Sequence, residues 1–342
     1  MTKNQIFFYG ALLFFSLLVG ATWFFGRNWI HAPFLPDQGP LWYYWKLPEP
    51  TFWPRFTGWS FFLLHLFISW FILYKAKREK ERAITAGEAK YGELKWYNYA
   101  LLGTHMFFGV VHLIQTSIWY DTLAHDTPVW LSQYSVILML VLIMILVNSK
   151  RGLFFGYTLP IPRLVVDLVR KYHSYYILLA LIFTFWYHPM EITPGHLVGF
   201  FYMFLLMLQS TLLYTKQHLS RYWIFILEIM VLFHGTTVAI GQGTATRDVW
   251  PLFAFGFGLI AVCTQIYLLA LPKWANISLQ LMYVLSVIVV YSGNIGVKRT
   301  YSQLYELAFI PVTEYGIVLV LAGIGAIATY IIRKSPRKPL DA

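Results

Sequence analysis

Residues Lys171–Gly235 read KYHSYYILLALIFTFWYHPMEITPGHLVGFFYMFLLMLQSTLLYTKQHLSRYWIFILEIMVLFHG. Three apolar runs are separated by two short polar breaks, a pattern that predicts three consecutive membrane-crossing helices, since a span needs about 20 largely apolar residues. Five of the chain's ten histidines lie in this stretch, together with Glu191 and Glu228. An ionisable group placed in the hydrocarbon region is costly and usually functional, so the same residues that fix the fold also carry the question of function.

Composition extends the reading to the whole chain. Of its 342 residues 58% are hydrophobic and 12% charged, and the mean hydropathy is +0.58. A soluble domain is about a quarter charged, so too little polar surface exists here to cover a soluble globule. Aromatic residues make up 19%, which suits interfacial belts and large helix contacts. The net charge of +11 does not indicate nucleic acid, because the basic residues sit in short clusters between apolar runs rather than on one continuous face. The single cysteine, Cys263, excludes an intramolecular disulfide, a Cys-ligated iron–sulfur cluster and a thiolate zinc site.

Ten apolar runs predict an all-α polytopic bundle of about ten transmembrane helices, forming one integral membrane domain over 1–342. The expected helices are about Ile6–Phe25, Gly58–Tyr74, Tyr97–Trp119, Val129–Val147, Ser174–His188, Pro194–Tyr214, Trp223–Ile240, Trp250–Leu271, Ile277–Tyr291 and Pro311–Ile332. The first is read as an uncleaved anchor. A Pro- and Trp-rich surface loop is expected at 26–57, charged cytoplasmic loops at 75–96 and 148–171, and a polar cytoplasmic tail at 333–342. The part VVDLVRKY is expected to lie as a short amphipathic helix along the inner surface. With the N-terminus inside, only Arg27, Lys46, Arg55, Arg247, Lys298 and Arg299 of the 26 Lys and Arg fall outside. That bias puts both termini in the cytoplasm and the chain in the cell's inner (plasma) membrane.

Converting sequence position into depth sorts the histidines, at about 1.5 Å per residue. His65, His112 and His234 are each expected about 10 Å below the outer surface. His188 closes the fifth helix, His196 opens the sixth, and Glu191 lies in the turn between them. Five imidazoles and a carboxylate thus gather in the outer half. A second, inner level is expected to hold His105 and Glu228, with Gln209 and Gln265. His173 and His218 fall at the inner surface.

Imidazole is the commonest protein ligand for iron, copper and haem. His65, His112, His188, His196 and His234 are therefore the expected metal ligands, His105 a cofactor-binding residue, and Glu191 and Glu228 the expected catalytic carboxylates. The segment YHPMEITPGH holds the tightest group, stiffened by Pro189 and Pro194. Haem b also needs small residues that admit a flat macrocycle, and Gly103, Gly109, Gly195 and Gly235 lie beside the histidines. The expected centre is iron or haem b, with copper as the alternative. Three classes of function follow. One is a membrane oxidoreductase, oxygenase or electron-transfer protein acting on a quinone or other lipophilic substrate in the bilayer. Another is a proton-coupled transporter that relays protons through His and Glu228. The third is a non-catalytic accessory membrane protein. No Walker A, GxGxxG or G-x-S-x-G motif is present. The outer segment 241–251, GQGTATRDVWP, is a candidate lid.

Overall fold

The structure, a computed structural model, describes residues 1–26, 47, 49–88, 92–120, 123–241 and 248–334. Most of the expected loop 26–57, most of the candidate lid 241–251 and nearly all of the tail 333–342 lie outside these residues. Among the described residues there is no strand, only one isolated bridge between Phe154 and Tyr157. Ten helices of 14 residues or more follow the expected order: α1 (Lys3–Gly26), α2 (Phe52–Thr85), α3 (Trp96–Trp119), α4 (Val129–Arg151), α5 (Arg163–Tyr187), α6 (Pro194–Thr211), α7 (Arg221–Gly241), α8 (Trp250–Cys263), α9 (Lys273–Val290) and α10 (Phe309–Lys334).

Among the described residues, eight stretches are long and apolar enough to cross a membrane: α1, α2, α3, α4, α7, α8 continued to Leu269, α9, and α10 with the 3-10 segment from Tyr301 that leads into it. Helices α5 and α6 fall short because His, Tyr, Trp and other polar residues dilute their apolar runs. Helix α6 is nevertheless the most enclosed of the ten. Gly199, Phe200 and every residue from Tyr202 to Leu208 are buried in α6, against α1, α3, α5 and α7. A helix buried on all sides belongs to the interior of a bundle. By contrast only Val287 and Val290 are buried in α9. Its Trp274, Leu281, Met282 and Leu285 face outward, an apolar surface compatible with lipid.

Two helices differ from expectation in ways that matter for the site. Helix α2 begins at Phe52 instead of Gly58 and runs to Thr85 instead of Tyr74. Pro54 is tolerated because the first turn of a helix needs no N–H from it. Beyond Tyr74 the Lys, Arg, Glu and Ala residues are strong helix formers, so the helix continues into the segment expected as loop. Helix α5 begins at Arg163 and absorbs VVDLVRKY, which is not a separate surface helix.

After α4 the chain turns sharply. Gly152 has φ +76, and a Cβ there would fall 2.5 Å from the backbone carbon of Gly156 and 2.6 Å from the carbonyl oxygen of Tyr157. The turn closes with Leu153 N donating to Tyr157 O (2.8 Å), and Phe155 N reaches across to Cys263 O (2.8 Å). Both the left-handed backbone and the contact with rigid main chain demand glycine. Gly152→Ala is expected to lower stability by at least about 2 kcal/mol, seen as a drop in the unfolding temperature of the purified protein.

Candidate functional site

The end of the bundle where α2 starts, α3 ends and α5 turns into α6 is termed the upper end. With α2 starting at Phe52, His65 lies thirteen residues below its upper end, and His105 lies fourteen below the upper end of α3 at Trp119. The two levels expected from sequence therefore merge at this point. Nε2 of His65 is 2.9 Å from Nδ1 of His105.

The tautomers of this pair follow from its neighbours. Trp186 Nε1, which can only donate, points at His65 Nδ1 (3.3 Å), so His65 carries its proton on Nε2 and donates to His105. His105 then carries its proton on Nε2 and donates to Ser210 Oγ (2.9 Å), which donates to the Met207 carbonyl (2.7 Å). Each polar atom in the chain has one partner, and the chain ends on an indole N–H and a backbone carbonyl, neither of which exchanges protons near neutral pH. Ligation of a metal by either imidazole would require breaking it. His65 and His105 thus have the environment of a satisfied, packed pair.

His112 is the opposite case. It is 0% exposed, its ring stacks on Trp186 (centroids 4.3 Å, planes at 9°), and it meets the edges of Phe185 and Phe200. Neither Nδ1 nor Nε2 has a hydrogen-bond partner. A neutral imidazole always presents one donor and one acceptor, and burying both unsatisfied costs several kcal/mol by transfer estimates of about 1–3 kcal/mol per group. Gln115, three residues on and 1% exposed, likewise leaves its side-chain oxygen and nitrogen unpartnered. The two share a helix face.

The turn after α5 closes over this region. Met190 N donates to Thr116 Oγ1 (3.1 Å), tying the turn to α3. Thr193 caps α6 by accepting from His196 N (3.3 Å), and its hydroxyl lies 2.7 Å from His196 Nδ1. His188 Nδ1 donates to the Thr184 carbonyl (2.9 Å), which leaves Nε2 as the lone-pair nitrogen, the form in which imidazole ligates metals. Glu191 is 1% exposed rather than solvated. His188 and His196 have ring centroids 6.0 Å apart. His188 lies within electrostatic reach of His112 and of His234, as His196 does of His188 and His234. His234 sits on α7 against Gly199, where a Cβ would fall 2.7 Å from its Nε2. Among the described residues no three His, Cys, Asp or Glu side chains converge closely enough to hold a metal ion as they stand.

The glycines expected to admit a haem are for the most part occupied by protein. Gly109 faces Leu18 and Phe204, Gly195 faces Val238 and Gly235 faces Phe257, while Gly103 has nothing within 4 Å. Three of the four serve close helix packing.

Lower in the bundle, Glu228 forms an ion pair with Arg151, their side chains 5% and 1% exposed. Gln265 Nε2 donates to the Glu228 backbone carbonyl (3.4 Å), and Gln209 is engaged by Trp223 Nε1 (2.8 Å). Neither Arg151 nor Glu314, which is 3% exposed on α10, is among the residues the sequence reading singles out. Glu314 is legible by the rule that selects Glu228, an acid inside an apolar run. Arg151 carries no such signal, because a basic residue at a helix end reads as a surface charge.

At the rim, Asp126 joins the helical turn Leu123–Asp126 to α2. It accepts from Trp59 Nε1 (3.0 Å) and Arg55 Nε (3.1 Å) and lies 3.2 Å from His125 Nδ1. Burial alone would raise its carboxyl, but the hydrogen bonds from Trp59, His125 and Arg55 prevail and hold it below the ordinary carboxylate range. A depressed folded-state value stabilises the fold above the unfolded value and is lost as pH falls through the folded one. The melting-temperature gap between wild type and Asp126→Asn is expected at neutral pH and should shrink below about pH 4.

No family model, curated protein or solved structure matches the chain. Fold and site define it by class alone: among the described residues, an all-helical protein with eight helices apolar enough to cross a membrane, enclosing a group of buried histidines.

Proposed function

We propose that this chain is an integral membrane oxidoreductase or electron-transfer protein whose iron centre, an ion or the iron of haem b, is bound in the upper half of the bundle with His112 as ligand. Copper is the alternative metal. All ten long helices cross the membrane, both termini are cytoplasmic, the upper end faces outward from the inner (plasma) membrane, and the substrate is a quinone or another lipophilic molecule.

One observation carries the reading: His112 is wholly buried and both its ring nitrogens lack partners, and a bound metal would take up the lone pair of one of them. His188 is the natural second ligand, being within electrostatic reach and held in the Nδ1–H form by the Thr184 carbonyl. The aromatic wall of Phe185, Trp186 and Phe200 would keep water from the centre and lower its local dielectric, a setting that tunes redox potential. The orientation rests on the basic residues of the lower end, among them Lys75, Lys77 and Arg78 of α2.

The test is elemental analysis and an absorption spectrum of the purified full chain in lipid. Iron or copper near one equivalent per chain is expected. A folded preparation without metal or colour rejects the reading.

A further inference from the structure

The Arg151–Glu228 pair has a third member. Glu314 of α10 is within electrostatic reach of Glu228, and Tyr202 of α6 is within reach of both carboxyls. Tyr315 of α10 is within reach of Glu314 and Arg151, and its hydroxyl lies 2.5 Å from Thr264 Oγ1. Gln265, in the turn after α8, supplies the one neutral amide, bonded to the Glu228 backbone. Five segments thus enclose two carboxyls, one guanidinium and two phenols. None of the three charged groups is at the surface: Arg151 is 4% exposed, Glu228 4% and Glu314 3%.

Charge counting decides what such a cluster holds. Arginine is always charged, so it balances one carboxylate. A second ionised carboxylate would be an uncompensated buried charge, and such groups neutralise instead. Two further observations concern the way the cluster is left open. Glu314 makes no hydrogen bond or ion pair with any described residue. Arg151 Nε is buried without a partner, although the same guanidinium grips Glu228 through Nη1. The guanidinium therefore has a donor in hand for a second carboxylate.

We propose that Arg151, Glu228 and Glu314 form a proton-binding site in the interior of the bundle, in which the two carboxyls share one proton. With the proton on Glu314, Arg151 pairs with Glu228, as observed. A proton moving to Glu228 frees the guanidinium to pair with Glu314. The balance is simple: one carboxylate takes up H⁺ as the other releases it, and the net charge of the cluster stays at zero. The site borders the upper histidines at Tyr202, whose ring centroid lies 6.3 Å from that of His234, but it uses no metal there.

Infrared spectra of the full chain in lipid at neutral pH, with and without deuterium exchange, test this. Wild type is expected to show the C=O stretch of a protonated carboxylic acid from this cluster. Glu314→Gln should abolish that band, because Glu228 stays ionised opposite Arg151. Glu228→Gln should abolish it too, because Glu314 then becomes the counter-ion. Arg151→Met should roughly double it, since both carboxyls then keep protons. Glu314→Gln removes no ion pair and is the variant expected to fold without difficulty. A band unchanged in Glu314→Gln overturns the proposal, as does a band that appears in wild type only when sodium is withdrawn, which would make the ligand a metal cation.

Discussion

Glu228→Gln is expected to destabilise the protein by up to about 3–5 kcal/mol, the cost of breaking a buried ion pair, less what Glu314 recovers as the replacement counter-ion. A guanidinium keeps its charge in proteins, and only 1% of the Arg151 side chain reaches the surface. Glu314 softens the loss only in part, since it does not contact the guanidinium in the native arrangement. Arg151→Met should cost less, about 1–3 kcal/mol, because a stranded carboxyl can take up a proton where an arginine cannot lose one. That second cost should grow as pH rises. Replacing both partners with apolar residues, Arg151→Met with Glu228→Leu, should recover most of the stability, since the desolvation of two charges disappears along with their attraction. Chemical denaturation of the purified variants measures all three. Equal losses for the two single variants, or additive losses in the double, would show that the pair is not an isolated buried interaction.

Much of this was legible before any coordinates. The order of the ten long helices follows from runs of apolar residues bounded by Pro, Gly and charge, and the starts of α6 at Pro194 and α8 at Trp250 fall where the sequence reading puts them. Depth was less legible, for a local reason. Phe52–Thr57 carries Pro54 and Arg55, which look like loop, yet both are tolerated in the first turn of a helix. Moving the start of α2 six residues earlier carries His65 from the level of His112 to that of His105. The separation of histidines into satisfied and unsatisfied was beyond the sequence altogether. What distinguishes His65 from His112 is Trp186 on α5 and the His105–Ser210 link from α3 to α6, all distant in sequence. Arg151 and Arg299 show the same limit. Both count as loop charges in a topology argument, yet both are buried against glutamates, Arg299 with Nε 2.5 Å from Glu306 Oε1 and Tyr291 sharing that oxygen at 2.8 Å.

His112→Ala is expected to remove the bound metal, lowering its content at least tenfold, because loss of a direct ligand should exceed the 10–100-fold effects seen when only supporting residues are changed. The fold should survive. No hydrogen bond of His112 is lost, and only its stacking on Trp186 and contacts with Phe185 and Phe200 go. His112→Leu makes the sharper comparison, since it fills most of the space with an apolar group. In metal-free protein it should be at least as stable as wild type, because two unsatisfied buried polar atoms are removed at little packing cost. His65→Ala should behave the other way. The metal should stay, while stability falls by about 1–3 kcal/mol as His105 Nδ1 loses its donor and the Trp186 indole its acceptor. A metal lost from His65→Ala and retained in His112→Ala would place the centre on the hydrogen-bonded pair. It would mean that Trp186 and Ser210 orient ligands there, as the outer partners of metal-bound histidines do, instead of locking the pair shut.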